Sequence, residues 1–288
     1  MDKVYFPEDA ITKGDILEYY ERIAPFILPH LLDRPESLLR YPDSIYSEGF
    51  YQKNMDTKEI PSWFQTEPVH SDSEDRTINY PLVQNTESLL YLANLGCIDI
   101  HPWGSRVGSL DYPDYVIFDF DPEDIGFQEV MRAVQATHEI LDEIGVVSFC
   151  KTSGATGIHV LVPTLARYSY EQAAGFAKLI NTVVYSRLPD ITSMERLPKN
   201  RQKRVYLDYL QNRKGQTIAS AYSVRPRKGA PVSTPIAWDE LNSELRPEDF
   251  NMRNIFARLE KSSDIWKGML DHGFDMEKSI KKLEKILK

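Results

Sequence analysis

The most regular alternation of apolar and polar residues in this chain lies at positions 114–122, which read DYVIFDFDP. Phe118 and Phe120 alternate with Asp119 and Asp121, which is the two-residue period of a β-strand with one buried face. Successive side chains of a strand point to opposite faces, so the two aspartates share a face and lie about 7 Å apart. The pattern predicts a strand that presents two carboxylates on one side of a sheet.

Helical and alternating patterns also occur elsewhere in the chain. Helices are predicted at residues 12–32, 86–96, 127–144 and 170–187, with a mostly helical tail from residue 253 onwards. Strands are predicted at residues 37–42, 49–54, 76–83, 97–103 and 203–212, and a strand, glycine-rich turn and strand at 146–163. Thr12 and Thr86 are the predicted N-caps of the first two helices. The polar stretch at residues 56–75 is predicted to form loops.

Composition restricts the class of protein. The 288 residues are 42% hydrophobic, which is sufficient for a packed core. No run approaches the roughly 20 apolar residues that span a bilayer, and the start MDKVYFPEDA lacks the pattern of a signal peptide. We therefore expect a cytoplasmic protein without a membrane partner. Cys97 and Cys150 lack CxxC spacing, which gives no support to a disulfide framework or a thiolate zinc site.

Charge is unevenly distributed along the chain. The formal net charge is −9, which argues against general binding to nucleic acid. Residues 196–228, however, carry ten Lys or Arg side chains against a single acid, Asp208. Acidic residues gather instead at positions 111–124. An acidic cluster and a basic segment in one chain suit the binding of metal ions and a polyphosphate.

Asp208 is a third candidate carboxylate. It lies in an apolar strand flanked by basic residues, where an unpaired charge is costly unless a metal ion or an arginine compensates it. An ion pair with Arg204 or Arg213 is the structural alternative, and a solvated strand end is the alternative for Asp119 and Asp121. Three carboxylates around hard cations would form a two-metal site, which activates a 3′ hydroxyl and neutralises the leaving pyrophosphate.

The segment SGATGIH, residues 153–159, has the composition of a phosphate cradle. Gly154 and Gly157 let backbone N–H groups approach an anion, and Ser153 adds a hydroxyl. The lysine of a Walker loop is absent. A hairpin turn is the alternative reading of the glycines, and a core histidine is the alternative reading of His159.

Three more residues are candidates for binding a nucleotide. Arg201 and Arg225 offer fixed positive charge that binds triphosphate oxygens in pairs. A solvated basic face is the alternative for both. His101, in IDIHPW, follows an alternating strand and is a candidate for contacting the nucleotide or a metal-bound oxygen. A purely structural role is the alternative.

Five segments together resemble the polymerase domain of bacterial ligase D, within the archaeo-eukaryotic primase superfamily. They read IHPWGSR, DYVIFDFDP, KTSGATGIHVLVP, RVYLDYLQN and AYSVRPRKGAPVSTPIAWDEL. The resemblance implies an α+β fold of mixed α/β type, a primase-type fold with central, mostly antiparallel sheets flanked by helices. It also implies one domain over residues 1–288, with a catalytic core at about 76–240 and a helical tail at about 246–288.

The same resemblance implies site residues. Two Mn²⁺ or Mg²⁺ ions would be held by Asp119, Asp121 and Asp208, next to an incoming NTP or dNTP. The predicted nucleotide-binding residues, which include the cradle glycine Gly154, are His101, Ser153, Gly154, His159, Arg201 and Arg225. Lys53, in FYQKN, would bind the 5′ phosphate of a DNA break, unless it is an ordinary surface lysine. Aromatic side chains available to stack on bases are Phe50, Tyr51 and Phe64.

The implied function is a DNA-dependent nucleotidyltransferase that fills gaps and extends 3′ ends at double-strand breaks in non-homologous end joining. Its implied substrates are ribonucleotides by preference, on gapped or 3′-overhang DNA with a 5′ phosphate. Its implied partners are Ku and a ligase. The ligase would be a separate one, because the chain contains no KxDG motif, which carries the ligase nucleophile. Loops at residues 71–76 and 211–216 are candidates for gripping DNA ends.

One departure from the family pattern concerns the cradle. Thr156 stands where some relatives have a lysine, so one triphosphate contact is replaced by a hydroxyl or lost. Two alternatives to a polymerase remain at this stage. One is a non-catalytic module that grips phosphorylated ends, and the other is a different metal-dependent enzyme, such as a nuclease or a DxD glycosyltransferase.

Overall fold

The structure is a computed structural model that describes residues 1–71 and 74–287. Residues 72 and 73, within the loop proposed to grip DNA ends, lie outside the described residues. The chain divides into two compact units. The first comprises Met1–Gly108, Thr217–Thr234 and Glu248–Ser263, and the second Ser109–Gln216, Pro235–Pro247 and Asp264–Lys288. The single domain expected over residues 1–288 stays a prediction.

The first unit begins with a short hairpin and a long helix. Strands β1 (Val4–Phe6) and β2 (Ile11–Thr12) pair antiparallel, and helix α1 (Lys13–Leu31) follows directly. Thr12 caps the helix as predicted, because its hydroxyl accepts the N–H of Asp15 while the Asp15 carboxylate accepts the N–H of Thr12. The capping box therefore fixes where α1 begins.

A three-stranded antiparallel sheet holds the functional candidates of this unit. Its strands are β3 (Glu36–Arg40), β4 (Phe50–Gln52) and β7 (Cys97–Pro102), in the order β4-β3-β7. All six residues of β7 are buried. The remaining elements of the unit are the hairpin of β5 (Thr66–Ser71) and β6 (Arg76–Pro81), helix α2 (Thr86–Asn94) and helix α5 (Ile255–Ser262).

Two local predictions in this unit were wrong. Residues 66–71 form β5 and not a loop, because this polar, proline-bearing strand gains its order by pairing with β6 along its whole length. Asn85 and not Thr86 caps α2: its side chain accepts the N–H of Ser88, and the Ser88 hydroxyl accepts the N–H of Asn85. Both asparagine and threonine are good caps, so composition alone did not separate them.

The second unit is built on a six-stranded sheet. Its strands are β8 (Tyr115–Pro122), β9 (Phe149–Thr152), β10 (Ile158–Pro163), β11 (Thr192–Ser193), β12 (Val205–Asp208) and β13 (Pro235–Ile236). The order is β11-β12-β8-β10-β9-β13, and every pair except β11–β12 is antiparallel. The helices are α3 (Phe127–Glu143), α4 (Tyr170–Arg187) and α6 (Met276–Ile286). The predicted mixed α/β fold is confirmed.

Strand β8 has the two faces that its sequence predicts. Phe118 and Phe120 are fully buried, whereas the Asp119 side chain retains 13% of its exposure and Asp121 is exposed. Among the residues that the structure describes, no helix is long and apolar enough to cross a membrane.

Candidate functional site

The three predicted metal-binding aspartates lie on neighbouring strands of the second unit. Asp119 on β8 is directly opposite Asp208 on β12 and directly opposite His159 on β10. Residues paired in this way project from the same face of a sheet, with Cβ atoms about 5 Å apart. Asp121 lies two residues beyond Asp119 and shares that face. The fold therefore brings together four of the predicted site residues from three strands.

A buried lysine continues this row of side chains, because Lys151 on β9 is directly opposite His159 on β10. His159 Nε2 lies 3.4 Å from Asp119 Oδ1, and His159 Nδ1 lies 2.7 Å from the Nζ of Lys151 on β9. Lys151 is 1% exposed. Because a buried ammonium is costly without polar partners, its position beside His159 indicates a role at the site. Sequence reasoning missed Lys151, although a charged residue in the apolar strand FCKT was the available signal.

Asp208 is held by its own strand and the turn after it. Its Oδ1 accepts the hydroxyl hydrogen of Tyr206 at 3.2 Å and the N–H of Leu210 at 2.8 Å. Burial, together with the charge and hydrogen bond of Asp208, raises the pKa of Tyr206 to about 12, so the phenol remains a donor at neutral pH. Within the described residues Asp208 forms no ion pair with Arg204 or Arg213, so the structural alternative for this carboxylate is not realised.

Arg201 joins this group through an aromatic ring. Its guanidinium lies 3.8 Å from the ring centroid of Tyr206, contacts Glu123 Oε2 at 3.3 Å and donates to the carbonyl oxygens of Glu195 and Arg196. Its side chain is only 13% exposed. These contacts fix the cation beside Asp208 and show that it is not part of a freely solvated basic face.

A pocket of about 250 Å³ opens next to this group. Its lining includes three arginines, one carboxylate and two amides: Arg196, Arg201, Arg213, Asp208, Gln211 and Gln216. Such a lining suits a polyanion, because guanidinium groups bind phosphate oxygens in pairs. Arg213 and the two glutamines lie in the loop at residues 211–216 that was predicted to grip DNA ends, and were not predicted to bind the nucleotide. Arg196 was not predicted, and the density of basic residues at 196–228 was its signal.

The glycine-rich segment forms the turn between β9 and β10. The Ser153 hydroxyl oxygen accepts the N–H groups of Ala155 and Gly157, at 3.1 and 3.0 Å. Gly154 has a φ of +68°, which favours glycine. A Cβ at Gly157 would lie 2.4 Å from the carbonyl oxygen of Phe120. Both glycines thus have a structural reason to be present, and the nucleotide-binding roles of Ser153 and Gly154 stay predictions.

His101 and Arg225 come together in the first unit on a buried carboxylate. Asp99 Oδ2 lies 2.9 Å from His101 Nε2 and 2.7 Å from Arg225 Nε, and Asp99 Oδ1 accepts the hydroxyl hydrogen of Ser223 at 3.0 Å. Burial alone would raise the pKa of Asp99, but the charges of Arg225 and His101 outweigh it and lower the pKa. Asp99 was not predicted, although it stands two residues before His101 on the same strand face.

Lys53 is exposed just after β4, next to aromatic side chains. Phe50 and Tyr51 are 45% and 59% exposed, as stacking on a base requires. Phe64 is only 5% exposed and lies 5.0 Å, centroid to centroid, from Tyr91. The expectation that Phe64 is available to a base was therefore wrong, because this ring belongs to the core.

The carboxylates on the β8 face are of the ligand type that an oxygen-preferring cation binds, but their side chains are not gathered around one point. Carboxylate oxygens of Asp119, Asp121 and Asp208 are the ligands that Mg²⁺ and Mn²⁺ favour. Within residues 1–71 and 74–287, however, no group of three or more His, Cys, Asp or Glu side chains is assembled closely enough to hold a metal ion. The strands place the three carboxylates on one face of the sheet.

Known proteins resemble this chain over most of its length. The family model described as LigD, primase-polymerase domain, matches residues 12–266. The chain belongs to this family. LigD-family relatives include the multifunctional non-homologous end joining protein LigD of Pseudomonas aeruginosa, which is 32% identical over 90% of this chain and 31% of the relative. The bifunctional protein LigD of Bacillus subtilis is 31% identical over 91% of this chain and 42% of the relative.

A solved structure shows the same fold. The polymerase domain of ligase D from Mycobacterium tuberculosis, in complex with DNA, superposes with a TM-score of 0.86 at 25% identity, covering 95% of this chain and 97% of that domain. This chain thus spans 31% and 42% of the length of the two LigD relatives but nearly all of the isolated polymerase domain. The resemblance to the ligase D polymerase domain is confirmed, and so is the primase-type fold.

Proposed function

We propose that this LigD-family chain is a DNA-dependent nucleotidyltransferase that fills gaps and extends 3′ ends at double-strand breaks, with a preference for ribonucleotides. The observation that carries the proposal is the pairing of Asp119 with Asp208 across β8 and β12, with Asp121 on the same face. Asp208 also lines a pocket together with three arginines. Carboxylates next to fixed guanidinium groups are what a metal-bound triphosphate requires.

Different residues of the second unit would bind the metal ions and the triphosphate. Asp119, Asp121 and Asp208 would hold two Mn²⁺ or Mg²⁺ ions, which stabilise the negative charge that develops on the reacting oxygens. Arg201, fixed by Tyr206 and Glu123, would bind triphosphate oxygens. His159, placed by Lys151, would donate a hydrogen bond to the same ligand.

Several features support the proposal that the substrate is DNA with a strand break. The P. aeruginosa and B. subtilis relatives are named as non-homologous end joining proteins, and the M. tuberculosis domain was solved with DNA. In this chain, exposed Lys53 with Phe50 and Tyr51 offers a cation and two rings. We assign Lys53 to the 5′ phosphate of a gap, and we expect Ku and a separate ligase as partners.

The first experiment is extension of a gapped, 5′-phosphorylated DNA by the purified chain with Mn²⁺, comparing each ribonucleotide with its deoxy counterpart. Templated addition is expected, with ribonucleotides preferred. Asp119→Ala and Asp208→Ala should each abolish addition while DNA binding persists, because the aspartates are assigned to metal ions and not to DNA. The matched control is Asp142→Ala, which removes an exposed acid from α3. Addition retained in both site variants would refute the assignment.

A second comparison separates the polymerase from a module that only grips DNA ends. Binding of the gapped DNA without any addition, by the unmodified chain, would favour the end-binding module. Lys53→Ala should erase the preference for a 5′-phosphorylated over an unphosphorylated gap, with Lys58→Ala as a matched control in the exposed segment that follows. An unchanged preference in Lys53→Ala would overturn the role of that lysine alone.

A further inference from the structure

Asp99 is a carboxylate at 0% exposure in the middle of β7, between the apolar residues Ile98 and Ile100. Its two oxygens have different partners. Oδ2 contacts Nε of Arg225 and Nε2 of His101. Oδ1 accepts the hydroxyl hydrogen of Ser223, whose oxygen in turn accepts the N–H of Ile100 at 3.0 Å. One oxygen is thus linked to the backbone through Ser223, and the other is shared by Arg225 and His101.

An apolar side chain would satisfy the packing needs of this strand, since its other interior positions are filled by Ile98 and Ile100. Burying a carboxylate costs several kcal/mol unless it is paired and hydrogen-bonded. Glu36, on the adjacent strand β3, shows the contrast: it is equally buried, and neither of its carboxylate oxygens has a hydrogen-bond partner among the described residues. Asp99 instead accepts the Ser223 hydroxyl through Oδ1 and contacts Arg225 and His101 through Oδ2. The partners of Asp99, and not the core, therefore account for its charge.

The contacts of Asp99 determine how its partners are oriented. A guanidinium is planar, so fixing Nε of Arg225 fixes the plane in which its terminal N–H groups lie. The contact of His101 Nε2 with the carboxylate, at 2.9 Å, restrains the ring and leaves Nδ1 as the nitrogen that addresses a ligand. The ring edge is also restrained by Tyr51, whose centroid lies 5.8 Å away.

We propose that Asp99 is a positioning residue that holds His101 and Arg225 ready for the oxygens of an incoming nucleoside triphosphate. This inference rests on the proposed nucleotidyltransferase function. Asp99 itself does not touch the nucleotide. It acts by removing the rotational freedom that the side chains of His101 and Arg225 would otherwise lose when the triphosphate binds.

The test compares Asp99→Asn with the unmodified chain in ATP binding by calorimetry with Mn²⁺, and in templated ATP addition to gapped DNA. The Kd and the KM for ATP should each rise about tenfold, as expected when contacts to a charged ligand lose their fixed geometry. The value of kcat at saturating ATP and the affinity for DNA should stay within about twofold. Glu36→Gln, which replaces another buried acid of the same sheet by its amide, is the matched control and should leave the KM unchanged.

A double-mutant cycle distinguishes positioning from a general loss of structure. In an Arg225→Gln background, Asp99→Asn should raise the Kd for ATP by clearly less than tenfold, because the side chain it positions is already gone. Equal effects in both backgrounds would overturn the inference. If Asp99→Asn does not fold, Ser223→Ala takes its place, with a rise of about threefold in KM expected from the lost anchor.

The outcomes separate this inference from the function on which it rests. An unmodified chain that does not bind ATP would overturn both the nucleotidyltransferase proposal and the role of Asp99. An unmodified chain that binds ATP, together with Asp99→Asn and Ser223→Ala variants that bind it equally well, would overturn the role of Asp99 alone.

Discussion

Replacing Glu36 by glutamine should stabilise the protein by an amount that grows with pH. Burial raises the pKa of Glu36 well above its ordinary value of 4.5, and the neighbouring charge of Arg34 offsets this only in part. A carboxyl group whose pKa is higher in the folded state binds its proton more tightly there. Its contribution to the free energy of unfolding is therefore complete at low pH and is lost as the pH rises towards the folded-state pKa.

The magnitude follows from proton linkage. One proton held only by the folded state changes the free energy of unfolding by about 1.4 kcal/mol for each pH unit between the two pKa values. Two units above the unfolded-state pKa, this corresponds to a loss of about 3 kcal/mol, a large share of the roughly 5–15 kcal/mol by which domains are stable. The Glu36→Gln variant has a similar shape and no proton to lose, so this slope is absent.

Urea unfolding between pH 4 and pH 7 measures the difference. The midpoints of the two proteins should nearly coincide at the acidic end and separate in favour of Glu36→Gln as the pH rises, with equal m-values. Asp99→Asn is the opposite control, because the pKa of Asp99 is lowered and its contribution is present throughout this range and lost only at more acidic pH. Parallel midpoint curves for the unmodified chain and Glu36→Gln would refute the reasoning.

Three further substitutions test the second unit. Gly157→Ala should lower the free energy of unfolding by about 1–3 kcal/mol in urea, because its Cβ would meet the Phe120 carbonyl oxygen at 2.4 Å; an unchanged midpoint would contradict this packing. Asn181→Leu should raise stability by about 1–2 kcal/mol, since both polar side-chain atoms of this fully buried residue lack hydrogen-bond partners within the described chain; a loss of stability would indicate an unseen polar partner. Tyr206→Phe should cost about 1 kcal/mol through the lost bond to Asp208, and the difference should vanish in an Asp208→Ala background.

The parts of the site that lie on a single strand could be predicted from local sequence patterns. The alternation in DYVIFDFDP is a property of nine adjacent residues, so the shared face of Asp119 and Asp121 followed from strand geometry alone. The helix at Tyr170–Arg187 was predicted with its observed bounds for a similar reason, because helical periodicity is a property of neighbouring residues.

Contacts between distant segments were beyond local reasoning. Asp208 faces Asp119 only because β12 pairs with β8 in one particular register, and a shift of one residue would turn Asp208 to the other face. Asp99 is hydrogen-bonded to Ser223 across 124 positions of sequence, which no spacing in either segment reveals. Strand β5 was missed because its polar, proline-bearing sequence is stabilised by its partner strand and not by its own propensity.

Strand β8 lies in the interior of its sheet, and this position determines which side of the site opens most easily. At Asp119 and Phe120 the strand is paired on both sides, to β10 and to β12, so amide exchange there requires opening two ladders at once and should be among the slowest in the chain. Strand β12 has four residues, and its outer neighbour β11 has two. Brief local opening should therefore begin on the Asp208 side. The distance between the Asp208 and Asp119 carboxylates should then fluctuate with the opening of the short strands β11 and β12.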